Sequence, residues 1–175
     1  MGFMVAKAAA AAGYDVTLVA GPVSLQTPKG VTRIDVTSAR EMGKAVRESR
    51  ADILVATAAV ADWRPKAYSK TKLKKSAMSG TLELVRNPDI LKESKIPRKI
   101  GFAAETGDAA KEALRKCREK NLEFCVANDV SEKGSGFGSD TNRVTIVRPD
   151  GSTMPLPQMS KLAVARRIIK ELEKR

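Results

Sequence analysis

Asp52-Ile-Leu-Val-Ala-Thr-Ala-Ala-Val60 is a continuous apolar run, followed by Ala61-Asp62-Trp63. Lacking the alternation of a half-exposed strand, it reads as a strand covered on both faces, the kind found inside α/β sheets. Upstream, residues 2–12 read as a helix that is apolar nearly all round, ended by Gly13. Tyr14-Asp-Val-Thr-Leu-Val-Ala20 follows as a β-branched strand, Gly21-Pro22 as a turn, and residues 32–36 as a second strand. Ser38 and Glu41 form an S-x-x-E capping box, which opens a helix with Ala39, Met42 and Val46 on one face.

The alternation resumes downstream. Residues 99–104 read as a strand, Asp108 caps a helix through Lys120, and residues 122–127 form the next strand. Residues 143–147 and the segment around Met154 suit a hairpin about Asp150-Gly151, and Ala165, Ile168, Ile169 and Leu172 stripe a last helix. Alternating strands and helices predict a single α/β domain, a Rossmann-like, doubly wound, mainly parallel sheet with a flap and a small C-terminal hairpin. Such a domain usually begins with a strand, whereas this sequence starts directly on the helix.

Composition narrows the chemistry. The 175 residues are 42% hydrophobic and 30% charged, ordinary for a soluble domain. No run is long enough to span a membrane, and the first residues lack the basic start of a signal peptide. The two cysteines, Cys117 and Cys125, suit neither a disulfide framework nor zinc, and point to a reducing cytoplasm. There is no histidine, which excludes His-based triads. A formal charge of +12 favours anionic partners. Nucleic acid is disfavoured, because four Phe, two Tyr and one Trp offer few stacking platforms.

Gly43-Lys44 lacks the upstream glycine of a P-loop, and Gly134-Ser-Gly-Phe-Gly138 lacks the dinucleotide spacing. The segment from Ala58 to Ile90 carries more. Asp62 lies just past a buried strand, where ligands bind in open α/β sheets, and could hold Mg²⁺ bridging nucleotide phosphates or simply cap a turn. Lys70-Thr-Lys-Leu-Lys-Lys75 is either a solvated loop or a flap, over about residues 63–80, that folds its ammonium groups onto a triphosphate. Asn87-Pro-Asp-Ile90 reads as a turn into a short helix with Pro88 in its first turn. Lys116 and Lys120 share a helix face, which salt bridging alone would also explain.

Taken in order, Ala58-Ala-Val-Ala-Asp-Trp63, Lys72-Leu-Lys-Lys75, Asn87-Pro-Asp-Ile90, Gly101-Phe-Ala-Ala-Glu-Thr106 and Ala127-Asn-Asp-Val130 resemble the motifs of the phosphopantothenoylcysteine synthetases. The resemblance covers essentially the whole chain. It implies a CTP-dependent, ATP-independent ligase (phosphopantothenate–cysteine ligase) of coenzyme A biosynthesis. Phosphopantothenate would attack the α-phosphate of CTP to give an acyl-cytidylate and pyrophosphate, and cysteine would displace CMP. It further implies Lys72 as the catalytic flap lysine and Asp62 on the nucleotide and Mg²⁺ side. Ala58, Ala59, Asn87, Pro88, Asp89, Ile90, Phe102, Lys116 and Lys120 would line the CTP site. A homodimer is implied, with fusion to, or association with, a flavin-dependent decarboxylase. The family also carries an N-terminal strand and glycine-rich loop ahead of Met1-Gly2, so a truncated, inactive form is an alternative. So is another nucleotide-binding Rossmann-like protein.

Overall fold

The computed structural model describes residues 1–69, 71–72, 74, 80–131 and 138–174. A five-stranded sheet is assembled from β3 (Ile53–Val55), β6 (Arg98–Glu105), β7 (Phe124–Asp129), β9 (Thr145–Val147) and β10 (Thr153–Pro155), in the order β10-β9-β7-β6-β3. β3, β6 and β7 are parallel, and β9 and β10 are antiparallel additions. The expected hairpin is therefore present, closing through Pro149–Ser152 with Gly151 at φ 89°. β1 (Val16–Ala20) and β2 (Val31–Asp35) pair in parallel as a separate two-stranded sheet.

The apolar run from Asp52 to Val60 forms a shorter strand than its hydrophobicity predicts. Its strand stops at Val55, and Ala56 donates one more bond to Ile100 O at 2.9 Å before the chain leaves the sheet. β3 is only half-buried, because β6 alone pairs with it among the described residues. Hydrophobicity marks a strand but not where its partner ends. β7, paired on both edges, matches the buried reading instead, with Phe124 through Ala127 all inaccessible.

Two helices cover one face. α1 (Gly2–Ala11) supplies Val5 and Ala8, and α5 (Lys161–Glu173) supplies Val164, Ala165, Ile168, Ile169 and Leu172, all packed on Ile100, Phe124, Val126 and Ile146. On the other face, α4 (Ala109–Lys120) presses Ala109, Ala113 and Cys117 onto Ala103, Cys125 and Ala127. α4 begins where the Asp108 carboxylate accepts from Lys111 N at 3.0 Å, and it ends at Asn121 in the left-handed region. α2 (Ala39–Glu48) is capped by Ser38, as its box predicts, with one change. The Glu41 carboxylate turns back to Thr37, accepting from its N–H at 2.7 Å and its hydroxyl at 2.9 Å.

Two features escaped the sequence reading. β4 (Trp63–Pro65) and β5 (Leu84–Arg86) pair antiparallel as an arm whose outer face exposes Trp63 and Leu84. β8 (Thr141–Asn142) and β11 (Met159–Ser160) form another small pair at the start of α5. The predicted flap grows from this arm; Lys70, Leu73 and residues 75–79 lie outside the described residues, as do residues 132–137 of the glycine-rich loop.

Candidate active site

The chain from Ala56 to Asp62 leaves the end of β3 as irregular backbone, with Ala58, Ala59 and Asp62 exposed. The turn before α3 (Ile90–Glu93) is fastened to it by one side chain. Asn87 donates through Nδ2 to Ala61 O at 2.8 Å, and its backbone N–H donates to Asp62 O at 2.8 Å. Arg64, in β4, donates to Asn87 Oδ1 at 3.1 Å and to Arg86 O. Asn87 thus has both ends of its amide occupied by protein.

Asp89 is the N-cap of α3, accepting from Lys92 N at 3.1 Å, so Pro88 sits just outside the helix rather than in its first turn. The other Asp89 oxygen meets Lys120 Nζ at 2.9 Å. Burial pushes the Asp89 carboxyl upward, but Lys120 and the Lys92 amide outweigh it and leave the pKa below its ordinary value. Lys116, one turn earlier on α4, meets Glu105 Oε1 at 2.8 Å. Glu105 is the last residue of β6, and its carbonyl accepts from Val130 N at 3.0 Å. These side chains retain 23% and 35% exposure for Lys116 and Glu105, so the pair is worth at most about 1 kcal/mol to the fold. Its larger effect is to hold an ammonium group near the carboxyl end of a parallel strand.

The structure therefore gathers Asn87, Pro88, Asp89, Lys116 and Lys120 along one side of β6, with Ala61 and Asp62 tied to them through Asn87. It does not gather the rest. Phe102 faces the opposite side of β6, packed against the core under α1 and α5. Ile90 faces α2, lying under Gly43. Lys72 is exposed, and no hydrogen bond or ion pair joins it to the cluster. Sequence reasoning missed Arg64, and missed Glu105 and Asp89 as partners of the two lysines. Only the strand–turn–helix path from Glu105 to Lys116 could have hinted at the former.

Asp62 fits a cation in a limited way. Its carboxylate is exposed and engaged by no described residue, and no cluster of three potential ligands occurs among the described residues. Mg²⁺ commonly takes one or two carboxylates and completes its shell with phosphate and water, which such a lone acid suits. Cys117 and Cys125 are free thiols buried between α4 and the sheet, with 1% and 0% exposure. Cys117 donates to Val147 O, and the Cys117 contact, together with burial, pushes the Cys125 thiol up from its ordinary pKa. A hollow of about 470 Å³ beside α5, lined by residues including Leu156, Met159, Arg166 and Lys170, shares no residue with this cluster.

The family model described as DNA/pantothenate metabolism flavoprotein C-terminal domain matches residues 1–175. The chain belongs to this family. It is 48% identical over 179 residues to the coenzyme A biosynthesis bifunctional protein CoaBC of Bacillus subtilis (strain 168), covering 98% of this chain and 44% of that protein. Against CoaBC of Escherichia coli (strain K12) the identity is 44% over 174 residues, covering 93% and 43%. The chain thus spans under half the length of these relatives. A crystal structure of the C-terminal domain of a CoaBC protein matches with a TM-score of 0.79 at 38% identity, covering 98% of this chain and 80% of that one. The resemblance drawn from the motifs and the α/β fold expected from the alternation both agree with these matches. No described helix of this family member is long and apolar enough to cross a membrane.

Proposed function

We propose that this chain is a CTP-dependent ligase domain that joins phosphopantothenate to cysteine through an acyl-cytidylate, releasing pyrophosphate and then CMP, in coenzyme A biosynthesis. The observation that carries the proposal is the row of groups beside the end of β6: Lys116 and Lys120, each held by a carboxylate, next to the tethered Ala61-Asp62 segment. A triphosphate needs cationic groups placed in advance where charge develops, so that no reorganisation is required during transfer. Family membership and the CoaBC relatives support the substrate assignment.

In this reading Lys116 and Lys120 bind and orient the nucleotide, with Asn87, Pro88 and Asp89 shaping its pocket. Ala58 and Ala59 present backbone to the ligands. Lys72 closes over the phosphates from the arm and stabilises the charge that builds on the α-phosphate. Asp62 would hold Mg²⁺, which when bound neutralises phosphate charge. We further propose a homodimer, a cytoplasmic location, and operation beside a flavin-dependent decarboxylase, consistent with the bifunctional relatives.

The test is pyrophosphate release. With phosphopantothenate present, CTP should be turned over and ATP should not, and Lys72→Ala should cut the rate by about a hundredfold, the scale of one lost electrostatic contact in a transition state. Equal turnover of ATP, or an unimpaired Lys72→Ala, would overturn the assignment.

A further inference from the structure

We infer that Arg64 is a positioning residue for the nucleotide cleft, acting through Asn87 rather than touching the ligand. The inference rests on the ligase reading above for its functional meaning, but its geometry stands alone. Arg64 is half-buried at the root of the arm and forms no ion pair with a carboxylate among the described residues. One nitrogen of its guanidinium serves two protein acceptors, Arg86 O and Asn87 Oδ1, the latter at 3.1 Å. That second contact fixes which way the Asn87 amide faces: with Oδ1 turned to Arg64, Nδ2 is the end that reaches Ala61 O at 2.8 Å. The Asn87 N–H simultaneously holds Asp62 O.

Arg64 therefore backs, through Asn87, the two bonds that hold the Ala61-Asp62 segment against the Asn87–Asp89 turn. Two residues on, Asp89 caps α3 and holds Lys120. A disturbance at Arg64 passes along Asn87 to both the metal-side acid and one phosphate-side lysine. Lysine cannot replace arginine here. Lysine keeps the charge but not the geometry: its flexible stem does not fix an ammonium in the plane from which one guanidinium nitrogen aims one N–H at the carbonyl and the other at the amide oxygen.

A ligand-contacting arginine and a positioning arginine behave differently in a double-mutant cycle. CTP affinity would be measured by calorimetry for the wild type, Arg64→Lys, Asn87→Ala and the double variant. Arg64→Lys should weaken CTP by about tenfold, the equivalent of one lost hydrogen bond. In the Asn87→Ala background the same change should alter affinity by less than about twofold, because the route through Asn87 is already gone. Equal losses in both backgrounds would make Arg64 a direct ligand contact, and wild-type affinity in Arg64→Lys would remove it from the site. Hydrogen exchange supplies a readout independent of any nucleotide. The Asn87 amide, bonded to Asp62 O, should exchange at least about tenfold faster in Arg64→Lys, the loosening expected when about 1.4 kcal/mol of support is withdrawn. Unchanged exchange would overturn the positioning role. Absence of CTP binding by the wild type would sink the ligase reading, leaving the exchange result to decide the clamp.

Discussion

At the scale of single residues, the site is built from side chains that each satisfy two demands. Asp89 caps a helix with one oxygen and holds Lys120 with the other, which is why its pKa lies below the ordinary carboxylate value despite burial. The sign of the pH effect follows. A carboxylate whose folded pKa is depressed contributes stability in full above its unfolded pKa, about 3.9, and loses it as pH falls through the folded value. Asp89→Asn keeps a capping oxygen but removes the charge. Wild type should therefore melt above Asp89→Asn at pH 7, and the difference should close on acidification below about pH 4. Because the side chain is about 40% exposed, the neutral-pH difference should stay under about 1 kcal/mol. A gap that persists at low pH in thermal melts would mean that packing, not the ion pair, is lost. The Ser38 and Asp108 caps were readable in the sequence, since each bonds within three residues of itself; the Asp89 cap was not, because Pro88 was read inside the first turn of the helix it precedes. Lys116–Glu105 and Lys120–Asp89 were not, because such pairs exist only after strand, helix and turn have docked.

At the scale of elements, local pattern foretold type and order better than extent. The stripe of α5 and the Asp150-Gly151 hairpin match their sequence signals, while the apolar run after Asp52 yields a three-residue strand. The arm was invisible because Trp63–Pro65 and Leu84–Arg86 are short, distant in sequence, and include a proline that only an edge tolerates. Between β6 and its covering elements, close approach depends on Gly101. A methyl group there would lie 2.7 Å from Leu122 Cδ1 and 3.3 Å from Leu91 Cδ2. Leu122 is itself buried and has little freedom to swing aside. Gly101→Ala should cost about 1–3 kcal/mol in denaturant unfolding, as overpacked cores do. Neutral stability would show that the Leu122 side chain and α3 both give way freely, and that the lysine cluster is not rigidly held.

At the scale of the whole molecule, a basic chain presents its cations unevenly. Some are neutralised structurally, as where Arg148, Arg167 and Lys174 surround the buried Glu171, or where Arg98 grips Glu123 with two bonds of 2.7 Å. Those of the cleft are paired singly, near solvent, and so remain available to a stronger anion. The split between the β1–β2 pair and the five-stranded sheet is bridged by α1, which packs on β1 and on the core containing Ile53 and Val55, leaving the cleft segments resting on β6. That arrangement suits a nucleotide held along the carboxyl ends of parallel strands, where open α/β sheets bind ligands. The central claim is nucleotide choice, and it is most directly tested by calorimetric titration of the purified chain with CTP and Mg²⁺ beside an ATP control. The expected result is saturable CTP binding that weakens in Lys116→Ala and Lys120→Ala, with ATP rejected. Binding of ATP as tight as CTP, or CTP binding indifferent to both lysines, would contradict it.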